Sequence, residues 1–291
     1  DEFTSITDDA AESLSKHKEN LFLNGLTELS DAAAESLSKH QSWLGLDGLN
    51  KLSDAAAESL SKHDGTLCLD GITELTYAAA ESLSKHKGYL ALDGLTELSD
   101  NVAKFISKYE GELNIGLTKL SDAAAESLSK FKGELGLNGL TELSDVAAEL
   151  LSKHEGMLDL NGLAELSEDA AESLSKHKGE LNIGGSLTKL PDELAKFFAK
   201  CKNEAILLNA LTKISDAAAE SLSKYQGIIL HLDGLTELSD NAAESLSKYE
   251  GNLSLEGLTE LSDAAAESLS KHKGELILNG LTELSDAAAE S

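Results

Sequence analysis

A phrase of 23 residues restarts along this chain from end to end. Read from Leu21 it is L-F-L-N-G-L-T-E-L-S-D-A-A-A-E-S-L-S-K-H-Q-S-W, and it begins again at Leu44, Leu67, Leu90, Leu113, Leu135, Leu158, Leu181, Ile206, Leu230, Leu253 and Leu276. One unit of this length has too little apolar surface to fold alone, so it must bury its face against its neighbours. The repeat therefore dictates a solenoid, whose core lengthens with every added unit. No composition shift, linker or charge block divides the 291 residues, which read as one elongated domain over 1–291. Both ends fall inside a unit, as in a piece of a longer protein.

Each unit opens with an apolar, variable, apolar triplet such as Leu21-Phe22-Leu23. That alternation predicts a short strand with one face buried. A glycine follows (Gly25, Gly48, Gly71, Gly94) where the chain must bend, and Leu26 and Leu29 return to the core. Ser30 is a good helix N-cap, and Asp31 puts negative charge at the positive end of the helix dipole. The spacing predicts a helix over Asp31 to His40, with Ala33, Ala34, Leu37 and His40 on the buried face. Glu35 and Lys39 form an i,i+4 pair on the other face, and a glycine such as Gly88 or Gly133 is expected to stop the helix. Helices pack about 8–10 Å apart and strands about 4.8 Å. The stack must therefore bend, with strands on the concave side and helices outside.

This pattern resembles the leucine-rich repeat family, in its strand-plus-helix, horseshoe-forming branch. The resemblance covers the whole chain and rests on the L-x-L strand followed by stretches like Leu29-Ser-Asp-Ala-Ala-Ala-Glu-Ser-Leu37. It implies an α/β fold: a curved solenoid of about 12 repeats, short parallel strands on the concave face and helices on the convex face. It also implies a binding scaffold, by analogy alone.

The chain carries 24 basic against 52 acidic residues, a formal net charge of −28, and every basic residue is Lys. Without arginine it lacks the bidentate fork that grips phosphate, and its negative field repels nucleic acid and anionic membranes. No apolar stretch approaches the length of a membrane span. Cys68 and Cys201 lie too many strand spacings apart for a disulfide. Free thiols favour a reducing compartment without settling the location, and a cell-surface or extracellular site stays open.

Serine, histidine, aspartate and glutamate recur in nearly every unit, as in Ser38-Lys39-His40 beside Asp31 and Glu35. A catalytic constellation occupies one place, so a dozen copies describe scaffold and the chain reads as no enzyme. The histidine column exchanges with Tyr109, Phe131, Tyr225 and Tyr249, which marks packing, not ligation. A second polar column (Asn24, Asp47, Asp70, Asp93) suits turn capping. Neither column implies a metal or cofactor.

Specificity should lie in the variable positions of the concave face. Phe22, Trp43, Cys68 and Tyr89 make an aromatic stretch; Glu112, Asn114, Glu134 and Asp159 follow; Leu207, Ile229, His231 and Ile277 restore apolar character. Trp43 is the only tryptophan. Two units depart on the helix side, with Lys104-Phe105 and Lys196-Phe197 replacing the usual Glu-Ser, and Pro191 stands at a helix start. The expected function is a non-enzymatic scaffold binding a protein or peptide through the concave face. The alternatives are a structural element that self-associates end to end and the recognition domain of a larger enzyme.

Overall fold

The structure, a computed structural model, describes residues 4–201 and 205–282. Helices and strands alternate from α1 (Asp8–Leu14) and β1 (Leu21–Phe22) to α12 (Asp263–Leu269) and β12 (Leu276–Ile277). All pairing is parallel and in step with the repeat. Leu21 of β1 pairs with Leu44 of β2 (Leu44–Gly45), and Leu44 with Leu67 of β3 (Leu67–Cys68). The expected strand-helix repeat is present throughout the described residues, and the chain has the leucine-rich-repeat solenoid fold.

By its packing the chain forms two compact units. One lies within Asp1–Leu160 with His177–Asn182, the other within Asn161–Lys176 with Ile183–Ser291. The first holds an eight-stranded sheet ordered β1 to β8 (Leu181–Asn182), and the second a four-stranded sheet ordered β12 back to β9 (Ala205–Leu207). In each, the helix of one repeat packs on the next along one side of the sheet.

The core of a repeat is as the phrase dictates. Leu44, Leu46, Leu49, Leu60, Ala57 and His63 are all shut off from solvent, and the alternation leaves the intervening strand residues on the open face. The second leucine of the turn is the weaker contributor, since Leu29, Leu75 and Leu98 are only half-buried.

Ser30 adopts the extended N-cap conformation (φ −71°, ψ 155°) and accepts the Ala33 N–H at 3.0 Å. Its own hydroxyl donates to Asp8 of the preceding repeat at 2.5 Å. Ser53 does the same to Asp31, Ser144 to Asp122, Ser215 to Asp192 and Ser239 to Asp216. One hydroxyl thus caps its own helix and ties it to the previous one.

Two local expectations change. α2 runs only over Asp31–Leu37, ending on Ser38 in the right-handed helical region (φ −60°, ψ −18°), with Lys39 and His40 in a following turn. The glycines expected to stop helices do not adopt the left-handed conformation; among the described residues only Gly184 has positive φ, at 125°. Close approach explains them instead. A Cβ on Gly88 would lie 1.9 Å from the Gly65 carbonyl, and one on Gly71 would lie 2.2 Å from that of Asp47. The repeats sit too near for a methyl group there. Pro191 caps α9 (Asp192–Phe198) without any side-chain hydrogen bond, the one departure from the Ser/Thr rule in the described helices.

Candidate interaction surface

Register assembles the variable residues into columns across the open face. In the first unit the residue after each strand leucine runs Phe22, Gly45, Cys68, Ala91, Asn114, Gly136, Asp159, Asn182. The residue before it gives a parallel column through Trp43, Tyr89, Glu112 and Glu134.

Phe22 and Trp43 stand out on this face, 53% and 41% exposed. Their rings meet edge to face at 5.4 Å and 67°, an arrangement favoured by aromatic quadrupoles. Gly45 makes room for it: a Cβ there would meet Phe22 Cδ1 at 2.7 Å. On the far side the indole Nε1–H donates to Cys68 Sγ at 3.1 Å. Trp43 is therefore held by Phe22 and by Cys68 while remaining well exposed.

Cys68 corrects the expectation that it forms part of the contact surface. Only 5% of it is exposed, and it underlies Trp43 as a support. Burial first, then the indole contact offset by Asp47, Asp70 and Asp93, leaves its thiol pKa pushed up to about 11. Tyr89 is half-buried, with its phenol pushed up to about 12 by burial and then by Asp93. It borders a shallow depression of about 230 Å³ with Glu112, Asn114, Glu134, Met157 and Asp159 on its rim.

The Asn/Asp column caps, but between repeats. Asn24 Oδ1 accepts the Asp47 N–H at 3.4 Å, Asp47 Oδ1 that of Asp70 at 3.4 Å, and Asp70 Oδ1 that of Asp93 at 3.0 Å. Burial raises the pKa of Asp47 and Asp93; the Asp70 charge adds to the rise at Asp93, whereas at Asp47 the Asp70 N–H works against it. Asp47, Cys68 and Asp70 each bring a donor atom within 4.8 Å of the others. That donor set suits no cation well. Calcium asks for six to eight oxygens, and a soft metal asks for a thiolate that these surroundings disfavour.

In the second unit the central column is Leu207, His231, Ser254 and Ile277. Leu207 is 54% exposed, while Ile229, His231 and Ile277 are half-buried. Sequence reasoning missed the polar knot beneath them. His231 Nδ1 lies 3.1 Å from Asp233 Oδ2, and the buried Ser254 donates to Asp233 Oδ1 at 2.5 Å. Burial pulls the Asp233 pKa up, but hydrogen bonds from Ser254, the Glu256 N–H and His231 outweigh it and hold the carboxyl below its usual range. The carboxylate stands between serine and histidine, so the imidazole cannot take the serine proton. The knot orients His231; it does not activate a nucleophile. The only sequence signal was a histidine two residues before the column's aspartate.

On the helix side of the first unit, Tyr77 and Phe105 meet edge to face at 4.5 Å with Lys108 Nζ 4.5 Å from the Phe105 ring centre.

No family model matches the chain, and no curated protein matches it. Solved structures do. The Toll–Spatzle complex from Drosophila superposes with a TM-score of 0.57 at 17% identity, covering 94% of this chain and 38% of that one. The TLR13–ssRNA13 complex gives 0.56 at 18% identity, covering 87% of this chain and 40% of that one. The chain thus spans about two fifths of each neighbour's length. At this identity the likeness shows the fold alone. It gives no support to the expectation that nucleic acid is excluded, since one neighbour is an RNA complex.

Proposed function

We propose that the chain is a non-enzymatic recognition scaffold that binds a protein or peptide on the open sheet face, with Phe22 and Trp43 as the anchor and Tyr89 beside it. The observation that carries this reading is the braced aromatic pair. A tryptophan braced by Cys68 and Phe22 loses little side-chain freedom on binding, which is how a few aromatic residues dominate an interface. The acidic rim at Glu112, Glu134 and Asp159 suits a partner carrying lysine or arginine next to an apolar side chain. Toll, one of the neighbours, is complexed with a protein. TLR13 is complexed with single-stranded RNA, but a net charge of −28 without arginine disfavours such a ligand here. In the second unit, Leu207, Ile229, His231 and Ile277 are the proposed contact residues.

Trp43 is the sole tryptophan, so its fluorescence reports on the proposed site directly. A displayed peptide library selected on the intact chain should yield binders that shift this emission and lose at least about tenfold in affinity against Phe22→Ala, the scale of a hot-spot truncation. Selected peptides that bind Phe22→Ala and Trp43→Ala as tightly as the parent would overturn the assignment.

A further inference from the structure

One set of titratable groups takes no part in the surface described above. His40, His63 and His86 stack in the first unit with ring centres 6.1 and 6.2 Å apart and planes within 3° of parallel. Tyr109 and Phe131 continue the stack, followed by His154 and His177 at 6.0 Å from each other. Of the three leading histidines none is more than 2% exposed, and neither nitrogen of any of them makes a hydrogen bond among the described residues. The ring tips face the backbone of the preceding repeat. Tyr109 donates its hydroxyl to the Gly88 carbonyl, and His177 Nε2 lies 3.0 Å from that of Gly156. Neutral rings and phenyl rings are tolerated in this slot. An imidazolium would gain nearby backbone carbonyls as acceptors, but it would be a buried charge one ring away from the next cation, and that burial outweighs them.

Ionisable groups around the run do not offset that charge. The helices packed about it bear the pairs Glu35–Lys39 and Glu58–Lys62, at 3.5 and 3.4 Å, then Glu81 with Lys85 and, one repeat on, Lys108. The loops after the rings bear Gln41, Asp64, Lys87 and Glu110, and exposed His17 precedes the run. These charged groups are exposed. From the strand side come backbone carbonyls, of Ser42 and Thr66 towards His63 and of Gly65 and Tyr89 towards His86, with the Tyr89 phenol neutral.

We propose that the His40–His63–His86 stack makes the first unit acid-labile: below neutral pH its repeats open, while the second unit stays folded. In the second unit the equivalent column is Tyr225, Tyr249 and His272, which has no second imidazole beside it. Burial lowers the pKa of His63 and of His86 from the ordinary 6.5, with the neighbouring histidine adding to the effect. The unfolded chain therefore takes up protons first. Stability is full above about pH 6.5 and falls as the pH drops towards the depressed folded values. Asp47 and Asp93, raised by burial, work weakly in the opposite sense over part of this range.

Hydrogen exchange with mass readout on the full chain, corrected for intrinsic rates, separates the units. Between pH 7.5 and 5.5, protection across 31–92 should fall by at least about tenfold, the change one differential proton produces over one pH unit. Protection across 205–277 should change far less. The variant His40→Phe/His63→Phe/His86→Phe puts into each site the residue the chain itself uses at Phe131, and it should keep its pH 7.5 protection while losing most of the fall across 31–92, with His154 and His177 left in place. Should that variant fail to fold, His63→Tyr alone should shrink the fall measurably. Equal protection of the parent at both pH values, or an undiminished fall in the variants, overturns the proposal.

Discussion

At the scale of single residues, proximity of one repeat to the next sets most constraints. Gly71 is required because the Asp47 carbonyl would lie 2.2 Å from any Cβ, and backbone cannot step aside as a side chain can. Gly71→Ala is expected to cost about 1–3 kcal/mol, the usual range for overpacking, read as a lowered urea midpoint. Gly45 makes the contrast, because its obstacles are side chains, the edge of the Phe22 ring and Asn24 Oδ1 at 2.8 Å. Gly45→Ala should leave the urea midpoint within about 0.5 kcal/mol of the parent, yet shift Trp43 emission by moving Phe22. If both variants lose stability equally, the distinction between rigid and movable obstacles fails. Cys68 shows the same logic in reverse: a residue that varies at a face position was expected to meet a ligand, and packing beneath the indole buries it instead.

At the scale of the element, each helix is only seven residues long, as α3 (Asp54–Leu60) illustrates, too short to hold itself in water. Its stability comes from the packed alanine and leucine face and from the serine that begins it. Ser53 both accepts from Ala56 at 3.0 Å and donates to Asp31 at 2.5 Å. Ser53→Ala removes the cap and the link together, so about 1–2 kcal/mol is expected in equilibrium unfolding. Ser53→Gly, which spares the backbone but loses the same hydroxyl, should be milder only if the cap conformation outweighs the inter-repeat bond. The Glu–Lys pairs on the outer helix faces, such as Glu58 with Lys62, are open to solvent on both sides and add little.

At the scale of the molecule, the excess of acidic residues, 52 against 24 basic, is spread over most repeats, those opening at Leu113, Leu181 and Ile206 excepted, and self-repulsion opposes compactness. Raising sodium chloride from low to moderate concentration should lift the melting temperature by a few degrees, of order 1 kcal/mol, as screening relieves that repulsion. A melting temperature indifferent to salt would show the lysine pairs already compensate. The two compact units also supply an internal comparison, since they share a repeat and differ in the ring column and in the residues on the open face.

The strand-helix repeat, the parallel register, the serine caps and the buried faces were legible in the phrase, because each depends on local spacing or on neighbours exactly one period away. The half-burial of Leu29 and its equivalents, the shortened helix and the role of the glycines were not, since burial depth and backbone proximity are properties of the stack. Of the surface, Phe22, Trp43 and Leu207 could be placed from alternation alone. That Cys68 braces Trp43, and that Asp233 gathers His231 and Ser254, depended on contacts across 25, two and 21 residues that periodicity does not encode. A repeat determines its own architecture because every copy solves the same packing problem. Which irregular side chains touch one another is decided only when the copies are stacked, since it depends on distances that no single copy contains.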